Sequence, residues 1–180
     1  MKHAEKISKQ FAAKVRKDAR ANLTRKGKRV SSDLYKSLDY TVEFDNDSDL
    51  TPNIKFFAAE YADFVDQGVK GKESSLKAPL SPFRFGSGNF KGKGNEFKRR
   101  IDGWIKSRRL FLRDEKGRFK RGGIETLSFL IRRSIYNKGI APTYFFSRPF
   151  EKEFKRFPEQ IAQAIARDID DTIEDGTTNR

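Results

Sequence analysis

Leu38-Asp39-Tyr40-Thr41-Val42-Glu43-Phe44 alternates apolar and polar side chains, and Asn53-Ile54-Lys55-Phe56-Phe57-Ala58 follows after an acidic break from Asp45 to Asp49. Successive side chains of a strand point to opposite faces, so a period of two predicts a half-buried strand. The break predicts a turn that brings the second stretch back antiparallel to the first. Upstream the period changes. Ala4, Ile7, Phe11, Val15, Ala19 and Leu23 recur at spacings of three and four, with Lys and Arg between them. That is one apolar stripe on a long N-terminal amphipathic helix. A small antiparallel sheet that must borrow helices to cover its apolar face is an α+β arrangement.

The remaining elements are read outward from this hairpin. Arg25-Lys26-Gly27-Lys28-Arg29 ends the first helix, and Ser31-Ser32-Asp33 offers an N-cap to a short turn of helix containing Leu34 and Leu38. Ala59 to Val65 predicts a short helix stopped by Gly68, which would need a positive φ just beyond a helix end. Gly, Pro, Ser and Lys dominate Gly71 to Gly94, predicting a long loop within a basic insertion at about 69–123 of one domain spanning 1–180. Phe83, Phe85 and Phe90 are expected to pack on the domain or on another subunit rather than face water. Phe97, Ile101, Trp104 and Ile105 predict a short helix inside the insertion, and Asp114 to Gly117 a turn. Leu127, Leu130, Ile131, Ser134 and Ile135 predict the inner face of a central helix over 126–138, closed by Gly139. Thr143 to Phe146 is expected to be extended. Phe150, Phe154, Ile161, Ile165, Ile169 and Ile173 then mark a C-terminal helical region with a break at Pro158.

Composition excludes much chemistry. The 180 residues contain no cysteine, which removes disulfides, thiolate-held zinc and cysteine nucleophiles. The single histidine, His3, stands in a terminus expected to fray, so neither a histidine triad nor a multi-histidine metal site is available. Apolar residues make up 36% of the chain, yet 17 Phe, five Tyr and one Trp concentrate enough apolar area for a core. No apolar stretch approaches the ~20 residues that a membrane-spanning helix needs. The charged start, Met1 to Lys6, leads into no apolar run, so no secretory signal is expected.

The net charge of +14 is unevenly placed. Residues 1–30 carry +9, 31–69 carry −7, 70–121 carry +12, and 122–180 are neutral. Such separation suits a polyanion partner, or the docking of one copy on another by charge complementarity.

Candidate sites follow from these patterns. The Gly-rich run from Gly86 to Gly94 fails as a phosphate loop, because position 87 is Ser where the first glycine belongs and Gly94 stands where a hydroxyl should follow Lys93. It also lacks the dinucleotide-binding spacing. Asp168, Asp170, Asp171, Glu174 and Asp175 form an acidic helix end, expected to be solvated or to dock a basic neighbour rather than to cage a cation. Glu60, Asp63 and Asp66 lack a second supporting group for acid–base work. No cofactor, metal or small-molecule site is expected. The strongest candidates are Lys91, Lys93, Lys98, Arg99, Arg100, Arg108 and Arg109, cations interleaved with aromatics that suit phosphate contact without base readout.

Four stretches in order carry a resemblance. Ser31-Ser32-Asp33-Leu34-Tyr35-Lys36-Ser37-Leu38 resembles the threonine-glycine-x-leucine-x-x-serine-isoleucine stretch that precedes the first strand in neck, or tail-completion, proteins of tailed bacteriophages. Tyr61-Ala62-Asp63-Phe64-Val65-Asp66-Gln67-Gly68 is similar to that family's box ending in valine-glutamate-x-glycine, and Ile101 to Leu110 resembles a helix centred on its tryptophan, here Trp104. Residues 125–139, Pro142 and Arg148-Pro149-Phe150 resemble the closing pattern of helix, glycine (here Gly139), aromatic turn and arginine-proline-phenylalanine. Ser32, Asp66 and Val69 depart from the family's usual glycine, glutamate and threonine.

The resemblance covers roughly residues 1–174 and implies a ring of identical subunits at the head–tail junction of a virion. Such a protein is made in the host cytoplasm and touches the portal or adaptor, the tail or other neck proteins, and the packaged DNA, without catalysis. Within it, Pro149 is expected to direct Phe150 into the core, and Arg148 to pair with a carboxylate such as Asp66. The alternative that the charge alone supports is a basic accessory protein binding nucleic acid without sequence preference.

Overall fold

The computed structural model describes residues 2–27, 33–44, 52–86, 94–118 and 123–178. Contacts divide the chain into two compact units, one formed by Met1–Asp66 with Thr143–Arg180 and the other by Gln67–Pro142. The basic excursion expected at about 69–123 lies within the second unit, which continues to Pro142.

In the first unit the apolar stripe forms α1 (Lys2–Arg25), followed by α2 (Asp33–Ser37), β1 (Asp39–Phe44), β2 (Pro52–Phe57) and α3 (Ala62–Gln67). The alternating stretches pair antiparallel as expected, with Tyr40 opposite Phe56 and Val42 opposite Ile54. Tyr40, Val42 and Phe44 are half-buried, while Asp39, Thr41 and Glu43 are exposed. The segment 45–49 expected to turn the hairpin, and the proposed cap residues Ser31 and Ser32, lie outside the described residues. α1 packs on both strands. Arg16 links the two elements, donating to the Asp39 carboxylate at 2.7 Å and lying over the Tyr40 ring at 4.9 Å.

Ala19 and Leu23 of α1 meet Leu34, Leu38 and Phe145 in a fully covered cluster, with Tyr35, Tyr61, Val65 and Phe146 around it. Burying a side chain the size of Phe145 contributes about 2–3 kcal/mol. A second layer is almost wholly phenylalanine. Phe11 stacks on Phe157 at 4.3 Å and meets Phe150 edge-on at 5.9 Å, while Phe56 contacts Phe146 at 5.2 Å. Phe146, Phe150 and Phe154 follow one another at helical spacing with their rings stacked. This is how a chain poor in aliphatic residues builds a core.

The C-terminal region breaks at Lys155 and Arg156, between α6 (Ser147–Phe154) and the final α7 (Phe157–Thr178), so Pro158 sits in the first turn of α7, where its missing N–H costs nothing. Thr143 to Phe146 is not extended as expected. Tyr144 adopts a left-handed φ of 49°, and Phe145 and Phe146 form a turn that leads into α6. α7 packs against α1.

The second unit holds β3 (Val69–Lys70), α4 (Gly94–Ser107), α5 (Ile124–Lys138) and β4 (Gly139–Ile140). β3 pairs antiparallel with β4 and bridges to Arg84 on its other side. The stretch 71–86 is irregular but anchored rather than loose. The buried Ser81 hydroxyl donates to the Gly68 carbonyl at 2.7 Å, Phe85 N–H donates to Lys70 O at 2.9 Å, and the Phe85 ring meets Tyr136 at 5.8 Å. Phe83 and Phe85 are half-buried as expected; Phe90 lies outside the described residues. α5 packs on α4 and beside β4. Its most buried residue is Ser128, while Leu130, expected inside, is exposed. The architecture is α+β: seven helices and two short antiparallel strand pairs among the described residues. No helix among them is long and apolar enough to cross a membrane.

Candidate functional site

α6 begins with an aromatic residue, Phe146, at its cap position, so it has no local side chain to satisfy its first N–H groups. Asp66 supplies the acceptor from 80 residues away. Its buried carboxylate accepts the Phe146 N–H at 2.8 Å, the Ser147 N–H at 3.4 Å and the Ser147 hydroxyl. Its backbone carbonyl accepts the Tyr144 N–H at 2.9 Å, and the Thr143 hydroxyl donates to Val65 O at 2.7 Å. The chain leaves the first unit at Asp66 and re-enters it at Thr143. These bonds therefore close that unit at the point where Gln67–Pro142 is inserted. The expected Asp66–Arg148 pair does not form. Asp66 is occupied by α6, and Arg148 instead lies over the Tyr144 ring at 4.9 Å.

Gly68 has φ 73°, as its place beyond α3 requires, and a Cβ there would lie 2.6 Å from the Ile140 carbonyl oxygen. Gly139 ends α5 with φ 81° and its N–H donates to Ile135 O. Tyr61 flanks the main core cluster, Pro149 is buried, and Phe150 enters the phenylalanine layer. Trp104 enters no core: it stands half in solvent while Ile105 beside it is buried.

The basic candidates separate. Lys91 and Lys93 lie outside the described residues. Lys98 is paired with Asp102 at 3.1 Å on α4. Arg99 and Arg100 are exposed on the same helix, and Arg108 and Arg109 are exposed just past its end, Arg109 with a left-handed φ of 51°.

Asp168 of α7, expected to be solvated or to dock a basic neighbour with the rest of its acidic cluster, is instead buried. It is only 6% exposed, and its two oxygens accept the N–H groups of His3 at 2.9 Å and Ala4 at 2.8 Å. The carboxylate thus caps α1, and His3, rather than fraying, also meets Asp171 at 3.2 Å. His3, Asp168 and Asp171 bring three ligand-type atoms within 4.8 Å of one another. Both Asp168 oxygens are already engaged by backbone donors, so capping accounts for the cluster. Burial pushes the Asp168 carboxyl up, but the Ala4 and His3 N–H groups more than offset this and hold it below the usual range.

Other lowered carboxyls have similarly local causes. Asp39 is held down by the Tyr40 N–H and then by Arg16, and Glu5 by Lys9. A small apolar cavity of about 140 Å³ lies between Leu38, Phe56, Phe57, Ala62 and Phe145, with Asp63 and Asp66 on its rim. The arrangement caps helices, Asp66 serving α6 and Asp168 serving α1. No protein-family model, curated protein or solved structure matches the chain.

Proposed function

We propose that the protein is a structural subunit of a tailed-bacteriophage neck, forming a ring that joins the portal-capped head to the tail around the DNA channel, and that it performs no catalysis. The observation that carries this reading is apolar surface in the Gln67–Pro142 unit. Leu76 is 90% exposed, Leu80 86%, Phe129 54% and Leu130 47%. Further copies of the chain, or neighbouring neck proteins, would remove such surface from water. Charge acts in the same direction: +12 over 70–121 against −7 over 31–69 gives adjoining copies an attractive juxtaposition. The second and fourth resembling boxes also meet in space, because Asp66 of the second holds the start of the Arg148-Pro149-Phe150 helix of the fourth.

In this reading the protein is made in the host cytoplasm and resides at the head–tail junction, its partners being itself, the portal or adaptor, and the tail. Phe129→Glu and Leu130→Glu test it. Both positions are exposed, so thermal stability should move by no more than about 0.5 kcal/mol. Light scattering coupled to size exclusion should show the assembly reduced to smaller species. Unchanged assembly in both variants would contradict the reading.

A further inference from the structure

We infer that the cleft between the C-terminal part of α1 and the start of α6 binds the phosphate groups of a nucleic-acid backbone. The cleft encloses about 290 Å³ and is lined by Asp18, Ala21, Asn22 and Arg25 from α1 and by Arg148, Pro149 and Lys152 from α6. Its residues converge because of helical spacing: Asp18, Asn22 and Arg25 share one face of α1, and Arg148 and Lys152 stand four apart on α6. Three cations thus face one carboxylate.

The cations are held in place. Arg25 donates to the Asn22 side-chain carbonyl at 3.3 Å, and the Asn22 amide in turn donates to Phe145 O at 3.4 Å. The Arg148 guanidinium lies on the Tyr144 ring, and Pro149 stiffens the chain beside it. They are also not neutralised. Elsewhere on α1, Lys14 pairs with Glu153 at 2.9 Å and Arg16 with Asp39 at 2.7 Å. Among the described residues no carboxylate pairs with Arg25 or Arg148, and Lys152 reaches only its neighbour Glu153, at 3.8 Å. Two pre-positioned guanidinium forks match phosphate oxygens geometrically.

The ligand is a polymer rather than a free phosphate. A single small anion is usually enclosed by backbone N–H donors at a helix start. Here Asp66 already occupies the Phe146 and Ser147 N–H groups at the start of α6. What remains is an open set of side-chain cations, the form that tracks a phosphodiester backbone. The site is built wholly from residues of the first unit, none of them in the insertion that sequence favoured, and does not depend on ring assembly.

The test is fluorescence anisotropy of a labelled short DNA duplex with the full chain, followed across salt concentration. Arg25→Gln with Arg148→Gln should weaken binding on the order of tenfold and lower the slope of log K against log salt by about 0.9 for each phosphate no longer neutralised. Lys6→Gln with Lys36→Gln removes the same charge from exposed positions away from the cleft and should leave the slope unchanged. If freeing the Tyr144 ring unfolds the first pair, Arg25→Gln with Lys152→Gln provides the same comparison. Equal effects of cleft and control pairs, or no duplex binding by the unaltered protein, would overturn the inference. So would inorganic phosphate shifting the Asn22 amide resonances where the duplex does not.

Discussion

The Asp66 carboxylate accepts the Phe146 N–H at 2.8 Å and so caps a helix that begins 81 residues farther along the chain, at Ser147. A buried charged acceptor serving several donors contributes more than an exposed cap, because its removal leaves those donors dry. Asp66→Ala should lower stability by about 2–3 kcal/mol in urea unfolding. Ser147→Ala removes one donor and should cost about 1 kcal/mol. Equal losses would show that the two backbone N–H groups do not depend on Asp66.

Asp168 performs the same task for α1, and its pH behaviour gives a second test. Burial raises its folded carboxyl, yet the stabilising N–H bonds of Ala4 and His3 outweigh burial and hold it below the ordinary range. A depressed folded pKa contributes stability that is fully present above the unfolded value, about 3.9, and is lost as pH falls through the folded one. Asp168→Asn should therefore be less stable at neutral pH and converge on the unaltered protein below about pH 4. Parallel stability curves through that acid range would contradict the capping role.

Two glycines should respond oppositely to alanine. Gly68→Ala places a Cβ at φ 73° and against the Ile140 carbonyl, and should destabilise by more than about 2 kcal/mol. Gly103 lies within α4, where a Cβ would meet nothing within 4 Å. Gly103→Ala should stabilise by about 0.5–1 kcal/mol, through helix propensity alone. Thermal melts of the two variants decide both signs.

These cases show where sequence was sufficient. α1 and the hairpin were legible because a single apolar face with a clear period leaves one way to bury it. Ser8 and Ala12 were missed in α1 because polarity and small size hide close packing; Ser8 satisfies its hydroxyl on Ala4 O at 2.8 Å. On α5, Leu127, Ile131, Ser134 and Ile135 are half-buried as expected, while Leu130 is exposed, because Ile124, Phe129, Leu130 and Tyr136 distribute apolar surface around the helix and blur the edge of its inner face. Asp66 and Asp168 act across 80 and 164 residues, and no local pattern marks a cap supplied from such a distance. The hint for Asp66 was negative: α6 starts on an aromatic residue and needs an acceptor from elsewhere.

The central claim concerns assembly, and the direct measurement is native mass spectrometry of the purified full chain combined with negative-stain imaging. A chain of 20.8 kDa that forms closed rings will give a discrete multiple of that mass and annular particles with an open lumen. A stable monomer that coats DNA without forming rings would contradict the account and leave the nucleic-acid accessory reading in its place.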